Sequence, residues 1–224
     1  MKGCIMKIKA VLFDCDGLMF DTERISQQMW RDSAARNHVT LPDDFFVRIT
    51  GGSSQADRDY IHAIPGIELL FNDPKKKRFD LEFWKGFYPD RLNKKGLKEL
   101  YAWLNEQGCR IAVCSSSSRA YVETLIGTVE GGLKYDAIVC GDMVRHPKPD
   151  PEIFLRGAQL LGVQPENCLV LEDSRQGILA AHAGGMHSCF IEDTIAPDDL
   201  MRSYFEFACG DLSEVIAILS ENAE

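Results

Sequence analysis

The segment Ala10-Val-Leu-Phe-Asp14-Cys-Asp16-Gly17 joins a short apolar run to two carboxylates and a glycine. The run Ala10–Phe13 is typical of a strand that is buried on both faces of a parallel sheet. Asp14 then lies at the carboxyl end of that strand, the edge at which open α/β sheets bind ligands, and Gly17 allows a sharp turn there. Two acids on one turn repel each other, so the segment indicates a site for a cation or for backbone N–H donors. A surface turn is the simpler interpretation of the segment by itself.

The composition is that of an ordinary folded protein. Of the 224 residues, 45% are hydrophobic and 26% are charged, which are usual values for globular domains. The net charge of −9 argues against nucleic acid or an anionic membrane as the main partner, because both need a basic surface. We expect a monomer or a weak dimer.

The cysteines and the hydropathy pattern predict the compartment. The eight cysteines include no Cys-x-x-Cys pair and most lie in apolar runs, which indicates free core thiols in a reducing environment. Cys15 lies between two carboxylates, and their negative charge raises the pKa of a thiol and argues against a nucleophilic role. Because the sequence has no apolar span of eighteen residues and no leader pattern after Met1, we expect a cytoplasmic protein.

A helical pattern follows Phe20. Apolar residues recur at three- and four-residue spacing in several segments up to Tyr88, and no segment alternates with period two. We therefore predict a helical bundle over residues 21–88, inserted between the first strand and the rest of the sheet. Its aromatic residues, including Trp30 and Trp84, are expected to form a core of their own.

From Asn93 onward, helices and strands alternate, which is the signature of a doubly wound parallel sheet. Helices are predicted over 97–106, 153–161 and 212–219. Strands are predicted over 110–114, 135–140, from 168, over 187–191, and at an extra edge over 204–208. Residues 1–20 and 89–224 should thus form a Rossmann-like α/β core domain, and residues 21–88 a helical cap domain.

Polar residues follow several of these strands. Ser115 opens a run of four hydroxyls that enters a helix, Lys148 stands between two prolines, and Glu172 and Asp173 follow the fourth strand. Because the carboxyl ends of parallel strands lie along one edge, we expect these residues to converge with Asp14. Carboxylates suit Mg²⁺, and hydroxyls, N–H groups and a lysine suit phosphoryl oxygens, so the set indicates phosphoryl chemistry.

In this combination and order, the residues resemble the motifs of the haloacid dehalogenase superfamily of phosphatases and phosphomutases. The resemblance is to the branch with a helical cap, and within it to β-phosphoglucomutase-like members. It covers nearly the whole chain, and Asp21-Thr22-Glu23 opens the cap as is typical of those members. The four motifs appear as Asp14-x-Asp16-Gly17, Ser115, Lys148 and Glu172-Asp173.

The resemblance implies a Mg²⁺-dependent hydrolase of a small phosphorylated metabolite, such as a sugar phosphate. Asp14 would be the nucleophile that forms an aspartyl-phosphate, and Asp16 would protonate the leaving oxygen and then activate water. Lys148 would complete the catalytic set and would hold the phosphoryl group. The remaining roles are also implied by the resemblance: phosphate binding by Ser115 and Ser116, and Mg²⁺ binding by Asp14, the backbone carbonyl of Asp16, Asp173 and, directly or through water, Glu172.

The cap loop separates two activities. Four residues fall where the family's cap presents its specificity residues: Thr50, Gly51, Gly52 and Ser53. β-Phosphoglucomutases hold a second phosphate with an arginine of this loop, and the matching position here is Ser54. The sequence therefore favours hydrolysis, and a sugar phosphomutase that uses Arg48 or Arg58 is the alternative.

Two other classes of protein share part of this pattern. A signalling receiver domain also has a doubly wound sheet, an acidic pocket and a lysine. It carries its acidic pair near the start and its lysine on the last strand, however, and it needs no helical insert. A non-catalytic phospho-ligand-binding module would not need the complete set of acids. Both are less favoured than an enzyme.

Overall fold

Six parallel strands form the sheet at the centre of the protein. The computed structural model describes residues 8–51, 55–73, 81–86, 92–194 and 196–221. The strands are β1 (Ala10–Phe13), β2 (Arg110–Ser115), β3 (Ala137–Cys140), β4 (Cys168–Glu172), β5 (His187–Ile191) and β6 (Phe207–Cys209). Every neighbouring pair is parallel, so the predicted doubly wound parallel sheet is confirmed.

The strand order is β3-β2-β1-β4-β5-β6. The chain adds strands to one side of β1 and then crosses back to add the rest on the other side, so the order reverses between β1 and β4. In sheets of this order, the crevice at the reversal point is where ligands bind. Phe13 is in register with both Val113 and Leu171. Asp14, the next residue, therefore leaves the sheet in the middle of this crevice.

Helices occupy the connections between strands. Between β1 and β2 lie α1 (Thr22–Asn37), α2 (Phe45–Gly51), α3 (Gln55–His62), α4 (Ile67–Phe71), α5 (Leu81–Gly86) and α6 (Leu97–Glu106). The later helices are α7 (Arg119–Ile126), α8 (Glu152–Leu161), α9 (Arg175–Ala183), α10 (Asp199–Arg202) and α11 (Val215–Glu221). Within the described ranges, no helix is both long enough and apolar enough to span a membrane.

Both faces of the sheet are buried. In β1, Val11 and Phe13 belong to one apolar cluster, while Ala10 and Leu12 belong to another on the opposite face. The first cluster includes residues of α6, α7 and α11, and the second includes residues of α8 and α9. This explains why the central strands are apolar throughout, since a strand covered on both sides has no face for polar residues.

The helices between β1 and β2 pack in two ways. Trp30 packs against a separate cluster formed by α1 to α4, which includes Phe45 and Leu70, as predicted. Trp84 does not. It is 1% exposed within the cluster on the sheet, and its ring lies 5.9 Å from that of Tyr121 in α7. The prediction for Trp84 was wrong because helical spacing shows that a residue is buried, but not which layer buries it.

Two short backbone segments join the inserted helices to the sheet, and they run side by side. The N–H of Asp21 donates to the carbonyl of Leu92 (2.8 Å), and the N–H of Lys94 donates to that of Met19 (2.9 Å). Phe20 and Asn93 form an antiparallel bridge between them. The division into a core (1–20 and 89–224) and a cap (21–88) stays a prediction, and its second boundary lies outside the described residues.

Some element boundaries differ from the predicted ones. The edge strand β6 begins at Phe207 and not at 204, because Tyr204 and Phe205 pack against a small cluster that contains Phe190 and Met201. The third strand begins at Ala137. In the last part of the predicted helical insert, after residue 73, the structure describes α5. Residues 74–80 and 87–91 lie outside the described residues.

Gly157, in the middle of α8, shows how closely this helix approaches the sheet. A Cβ at this position would lie 2.7 Å from Sγ of Cys114 and 3.2 Å from Cδ2 of Leu12. Alanine is favoured over glycine inside a helix by about 1 kcal/mol. We nevertheless expect Gly157→Ala to lower the free energy of unfolding by about 1 to 3 kcal/mol, the usual effect of overpacking a core. Urea denaturation measures this difference.

A second helical glycine gives the matched control. A Cβ at Gly86 would have no atom within 4 Å, so Gly86→Ala should not lower the stability. Adding Cys114→Ala to Gly157→Ala should recover part of the loss, because it removes the sulfur that clashes. A Gly157→Ala protein as stable as the wild type would contradict this account of the helix–sheet contact.

Candidate active site

Asp14 and Asp16 stand at the reversal point of the sheet. Asp14 directly follows β1, its side chain is buried, and its N–H donates to the carbonyl of Leu171 (3.1 Å). The chain then turns through Gly17, whose φ of +77° is in the left-handed region. Glycine adopts this conformation without steric cost. The turn brings Asp16 back beside Asp14 at the end of the strand.

Lys148 is the buried cation of the site. Its side chain is 5% exposed, and the ammonium donates to Oδ1 of Asp14, to Oε1 of Glu172 (2.5 Å) and to the carbonyl of Cys114 (3.2 Å). An ammonium group has three donors, so these three acceptors match its capacity. The same nitrogen lies 4.7 Å from the centre of the Phe154 ring. Lys148 is thus fixed between two acids and is not a solvated loop lysine.

Glu172 ends β4 and is fully buried. Its Oε1 accepts from Lys148, and its Oε2 accepts from the N–H of Asp173 (3.1 Å), the N–H of Ser174 (3.0 Å) and the hydroxyl of Ser174 (2.9 Å). The Ser174 hydroxyl in turn caps α9 by accepting from the N–H of Gly177 (3.1 Å). Both oxygens of Glu172 therefore have partners, and its direct contact in the site is with Lys148.

Asp16 is held by two hydroxyls that sequence reasoning did not assign to the site. Thr22 donates to Oδ1 (2.9 Å) and Ser117 donates to Oδ2 (2.7 Å). Thr22 also accepts from the N–H of Gly17 (3.2 Å), which connects the turn to the start of α1. The sequence contained a signal for both residues, namely the Asp21-Thr22-Glu23 segment and the hydroxyl run, but it did not show which hydroxyls point at Asp16.

Ser115 and Ser116 differ in their surroundings. Ser115 is the last residue of β2, is buried, and accepts from the N–H of Ser117 (3.0 Å). Ser116 is exposed. The N-cap residue of α7 is Ser118, so Ser115 belongs to the end of the strand and not to the cap of the helix. Because the Ser115 oxygen is the acceptor in the bond with Ser117, that bond does not use the O–H donor of Ser115.

The site is electrostatically crowded. Burial raises the pKa of Asp14 to about 8, and the attraction of Lys148 only partly opposes this effect. Burial and the charges of Glu172 and Asp14 hold the pKa of Asp173 well above its usual range. Although burial would lower the pKa of Lys148, Asp14 and Glu172 raise it. Burial and the two flanking acids also raise the pKa of the Cys15 thiol, which agrees with an inert core cysteine.

The acids of this site fit a divalent cation. One oxygen from each of Asp14, Glu172 and Asp173 lies within 4.8 Å of the other two. Burial is the main cause of the raised pKa values of Asp14 and Asp173, and the neighbouring acids raise them further. A bound cation would oppose both effects, since it favours the charged form of a carboxyl group. Hard carboxylate oxygens are the ligands that Mg²⁺ prefers. The donor set is therefore suited to this ion.

The predicted specificity loop is described only in part. Thr50 and Gly51 are the last residues of α2, while Gly52 and Ser53 lie outside the described residues. The role of this loop stays a prediction. Before the loop, Nε of Arg48 donates to Asp44 (2.7 Å), and its guanidinium lies 4.2 Å from the centre of the Tyr60 ring.

A Rossmann-like sheet with a buried acid–lysine cluster at its reversal point is suited to phosphoryl chemistry. The family model described as haloacid dehalogenase-like hydrolase matches residues 8–185. Fructose-1-phosphate phosphatase YqaB from Escherichia coli is 33% identical over 178 residues, which cover 79% of this chain and 92% of that protein. The chain belongs to the haloacid dehalogenase-like hydrolase family.

Two further comparisons concern the size and shape of the relatives. Protein SUPPRESSOR OF QUENCHING 1, chloroplastic, from Arabidopsis thaliana is 30% identical over 193 residues, which are 85% of this chain but only 18% of that protein. The crystal structure of β-phosphoglucomutase (pgmB) from Clostridium difficile matches with a TM-score of 0.67 and 20% identity, over 96% of this chain and 97% of that one. The family model over residues 8–185 confirms the predicted family resemblance, and the solved structure shows the same fold.

The contribution of Lys148 to the charge balance of the site can be measured through the free energy of unfolding. We expect Lys148→Met to lower the free energy of unfolding by about 3 kcal/mol in the presence of a chelator, because it leaves two buried acids without their cation. Chemical denaturation measures this loss. Glu172→Gln in the same protein should recover part of it.

Lys95→Met is the matched control for this measurement. Lys95 is 81% exposed and pairs with Asp211 at the surface, so its loss should change the stability little. Equal losses for Lys148→Met and Lys95→Met would contradict a buried cation that is shared by two acids.

Proposed function

We propose that the protein hydrolyses a small phosphomonoester, of a sugar or a related polyol, through an aspartyl-phosphate on Asp14. The observation that carries this proposal is the contact of buried Lys148 with Asp14 at the reversal point of the sheet, with Asp16 oriented beside it by Thr22 and Ser117. This arrangement supplies a nucleophile, a cation to offset its charge, and a separate acid–base group.

In the first half of the reaction, a carboxylate oxygen of Asp14 forms a bond to phosphorus, and the bond between phosphorus and the ester oxygen breaks. Asp16 gives a proton to that ester oxygen, which leaves as an alcohol. Lys148 offsets the negative charge that builds up as the carboxylate and the phosphoryl group approach each other. The hydroxyl of Ser115 and the N–H of Ser116 are proposed donors to the phosphoryl oxygens.

In the second half, a water oxygen forms a bond to phosphorus, and Asp16 takes the proton that this water loses. The bond between phosphorus and Asp14 breaks, which restores the carboxylate and releases inorganic phosphate. The hydrogen bonds from Thr22 and Ser117 fix the carboxyl group of Asp16 for both transfers. One residue can serve both steps because each half leaves it in the protonation state that the other half needs.

Asp14, the backbone carbonyl of Asp16 and Asp173 are the proposed ligands of Mg²⁺. The ion, when bound, supplies positive charge that offsets the phosphoryl oxygens and the carboxylates around them. Glu172 contributes through Lys148, because both of its oxygens already accept hydrogen bonds.

A cavity that begins at Glu23, next to Thr22, has the size for a small substrate. Its volume is about 350 Å³, within the usual range for small-molecule sites. Its polar lining residues are Glu23, Ser26 and Gln27, which offer partners for hydroxyl groups. The rest of the lining is apolar or aromatic and includes Trp30, Phe46 and Phe71, which suits a carbon chain. Glu23 follows Thr22, the residue that contacts Asp16. The name of the relative fructose-1-phosphate phosphatase YqaB supports a phosphorylated sugar as substrate.

Arg48 gives the reason to prefer hydrolysis over isomerisation. A mutase needs a second cationic phosphate site, and Arg48 is one of the two candidates for it. Its guanidinium already pairs with Asp44 and stacks on Tyr60, so using it for a phosphate would require breaking both contacts. The cytoplasmic location and the monomeric or weakly dimeric state stay predictions.

The products of the reaction test this proposal. With Mg²⁺, the protein should release one free phosphate for each sugar phosphate consumed, without a sugar bisphosphate as activator. A chelator should stop the release and added Mg²⁺ should restore it. Phosphate release and the identity of the remaining sugar are measured by a colorimetric assay and by NMR.

Two variants make the product assay specific. Asp14→Asn keeps the shape but removes the nucleophile, so turnover should fall by orders of magnitude. Asp142→Asn, at an exposed acid that accepts from the N–H of Arg119, should leave turnover unchanged. Conversion of β-glucose 1-phosphate to glucose 6-phosphate without phosphate release would instead identify a mutase. Undiminished turnover of Asp14→Asn would rule out the aspartyl-phosphate.

The hydroxyls around Asp16 provide a separate prediction. Ser117→Ala removes the hydrogen bond to Oδ2, so Asp16 should occupy its productive position less often, and we expect kcat to fall by about tenfold or more. KM should change less, since Asp16 acts on protons and does not hold the phosphate. Steady-state kinetics separates the two constants.

Ser118→Ala is the control for Ser117→Ala. Ser118 lies next to Ser117 at the start of α7 and makes no side-chain capping bond, so its substitution should leave kcat unchanged. If Ser117→Ala and Ser118→Ala had the same kcat as the wild type, the orientation of Asp16 would not depend on this hydroxyl.

A further inference from the structure

Asp193, just after β5, is a buried acid that the reaction described above does not use. Its side chain is 1% exposed. Oδ1 accepts from the ammonium of Lys94 (2.7 Å) and from the guanidinium of Arg24 (3.0 Å). Oδ2 is buried, and no described residue donates a hydrogen bond to it. Since nearly all buried polar atoms in folded proteins have a partner, a protein atom, a water or an ion, this oxygen requires one.

The unpartnered oxygen lies beside the catalytic acids. A Cβ at Gly17 would be 2.1 Å from Oδ2 of Asp173 and 3.1 Å from Oδ2 of Asp193. The two carboxylate oxygens therefore border the same small space, which the missing side chain of Gly17 leaves open. Two carboxylates that border one space repel each other unless a hydrogen-bond donor or a cation lies near both.

The position of the carboxylate is fixed from both ends of the helical insert. Arg24 is in the first turn of α1, and Lys94 is in the segment that returns to the sheet. Both bind the same oxygen, Oδ1, so they hold Asp193 with its other oxygen directed at the space beside Asp173. If Asp193 served only to pair with these two cations, its second oxygen would not need to lie beside another acid.

We propose that Asp193 is a positioning residue for the divalent cation: its Oδ2 accepts a hydrogen bond from a water molecule that the cation binds. A water contact is preferred to a direct one because Asp193 does not belong to the set of acids whose oxygens lie within 4.8 Å of one another. The inference rests on the proposed Mg²⁺ site. Outer partners of this kind typically change metal affinity by about 10- to 100-fold.

Calorimetric titration with Mg²⁺, without substrate, tests the proposal directly. Asp193→Asn should bind Mg²⁺ more weakly, with a Kd raised by about tenfold or more. Glu192→Gln is the matched control, because it removes the same charge one residue earlier from an exposed side chain, and its Kd should stay within about twofold of the wild-type value. Equal Mg²⁺ affinity of Asp193→Asn and the wild type would overturn the proposal.

Asp193→Glu separates position from charge, and it decides the question if Asp193→Asn does not fold. It keeps a carboxylate for Arg24 and Lys94 but moves the oxygens by one methylene. We expect Mg²⁺ binding to be weakened here as well, and a wild-type Kd would show that only the charge matters and would overturn the positioning role.

A wild-type protein that hydrolyses phosphomonoesters but binds no Mg²⁺ would refute both the metal site and this inference, whereas normal Mg²⁺ binding by all variants would refute the inference alone.

Discussion

The charge balance around Lys148 is the constraint on which the rest of the site depends. Asp14 and Glu172 are buried at the ends of two adjacent strands, where each alone would be costly as a carboxylate. One ammonium between them makes the pair tolerable and at the same time orients the proposed nucleophile. Because Asp173 lies beside this pair, one lysine cannot neutralise all the acids. The proposed affinity for a divalent cation and the proposed reactivity of Asp14 therefore have the same physical origin.

The sheet provides the geometry that this balance needs. Its strand order reverses between β1 and β4, so the helices that follow these two strands pack on opposite faces and leave a crevice at their carboxyl ends. Asp14, Ser115 and Glu172 come from three neighbouring strands, β1, β2 and β4, and are therefore spaced by the sheet itself. A site built on strand ends is held more rigidly than one built on loops, which suits the proposed reaction, in which a nucleophile must be in line with its target.

Sequence reasoning identified those parts of the fold that depend on local pattern. Apolar runs and helical spacing predicted the parallel sheet, the helical insert and the acids at the strand ends. What it missed depends on contacts between distant segments. Trp84 packs with Tyr121 on the sheet and not inside the insert, and Ser117 reaches Asp16 across 101 positions of the chain. Asp193 gave no signal at all, because a lone acid after a strand is common and only its neighbours in space distinguish it.

The paired backbone segments at Met19–Asp21 and Leu92–Lys94 have a consequence for how such a protein can diversify. The chain leaves the sheet and returns to it at adjacent points, so the number of residues between them can change without altering the register of a strand. Thr22, which bonds to Asp16, and Trp84, which packs on the sheet, are among the parts of this interval that are tied to the core. The cavity is lined from this interval and by Tyr121 of α7, while Asp14, Ser115, Lys148 and Glu172 lie outside the interval. Selection for a different phosphate ester can therefore act on the continuous segment of the gene that follows Thr22, and leave the proposed phosphoryl-transfer residues at the strand ends intact.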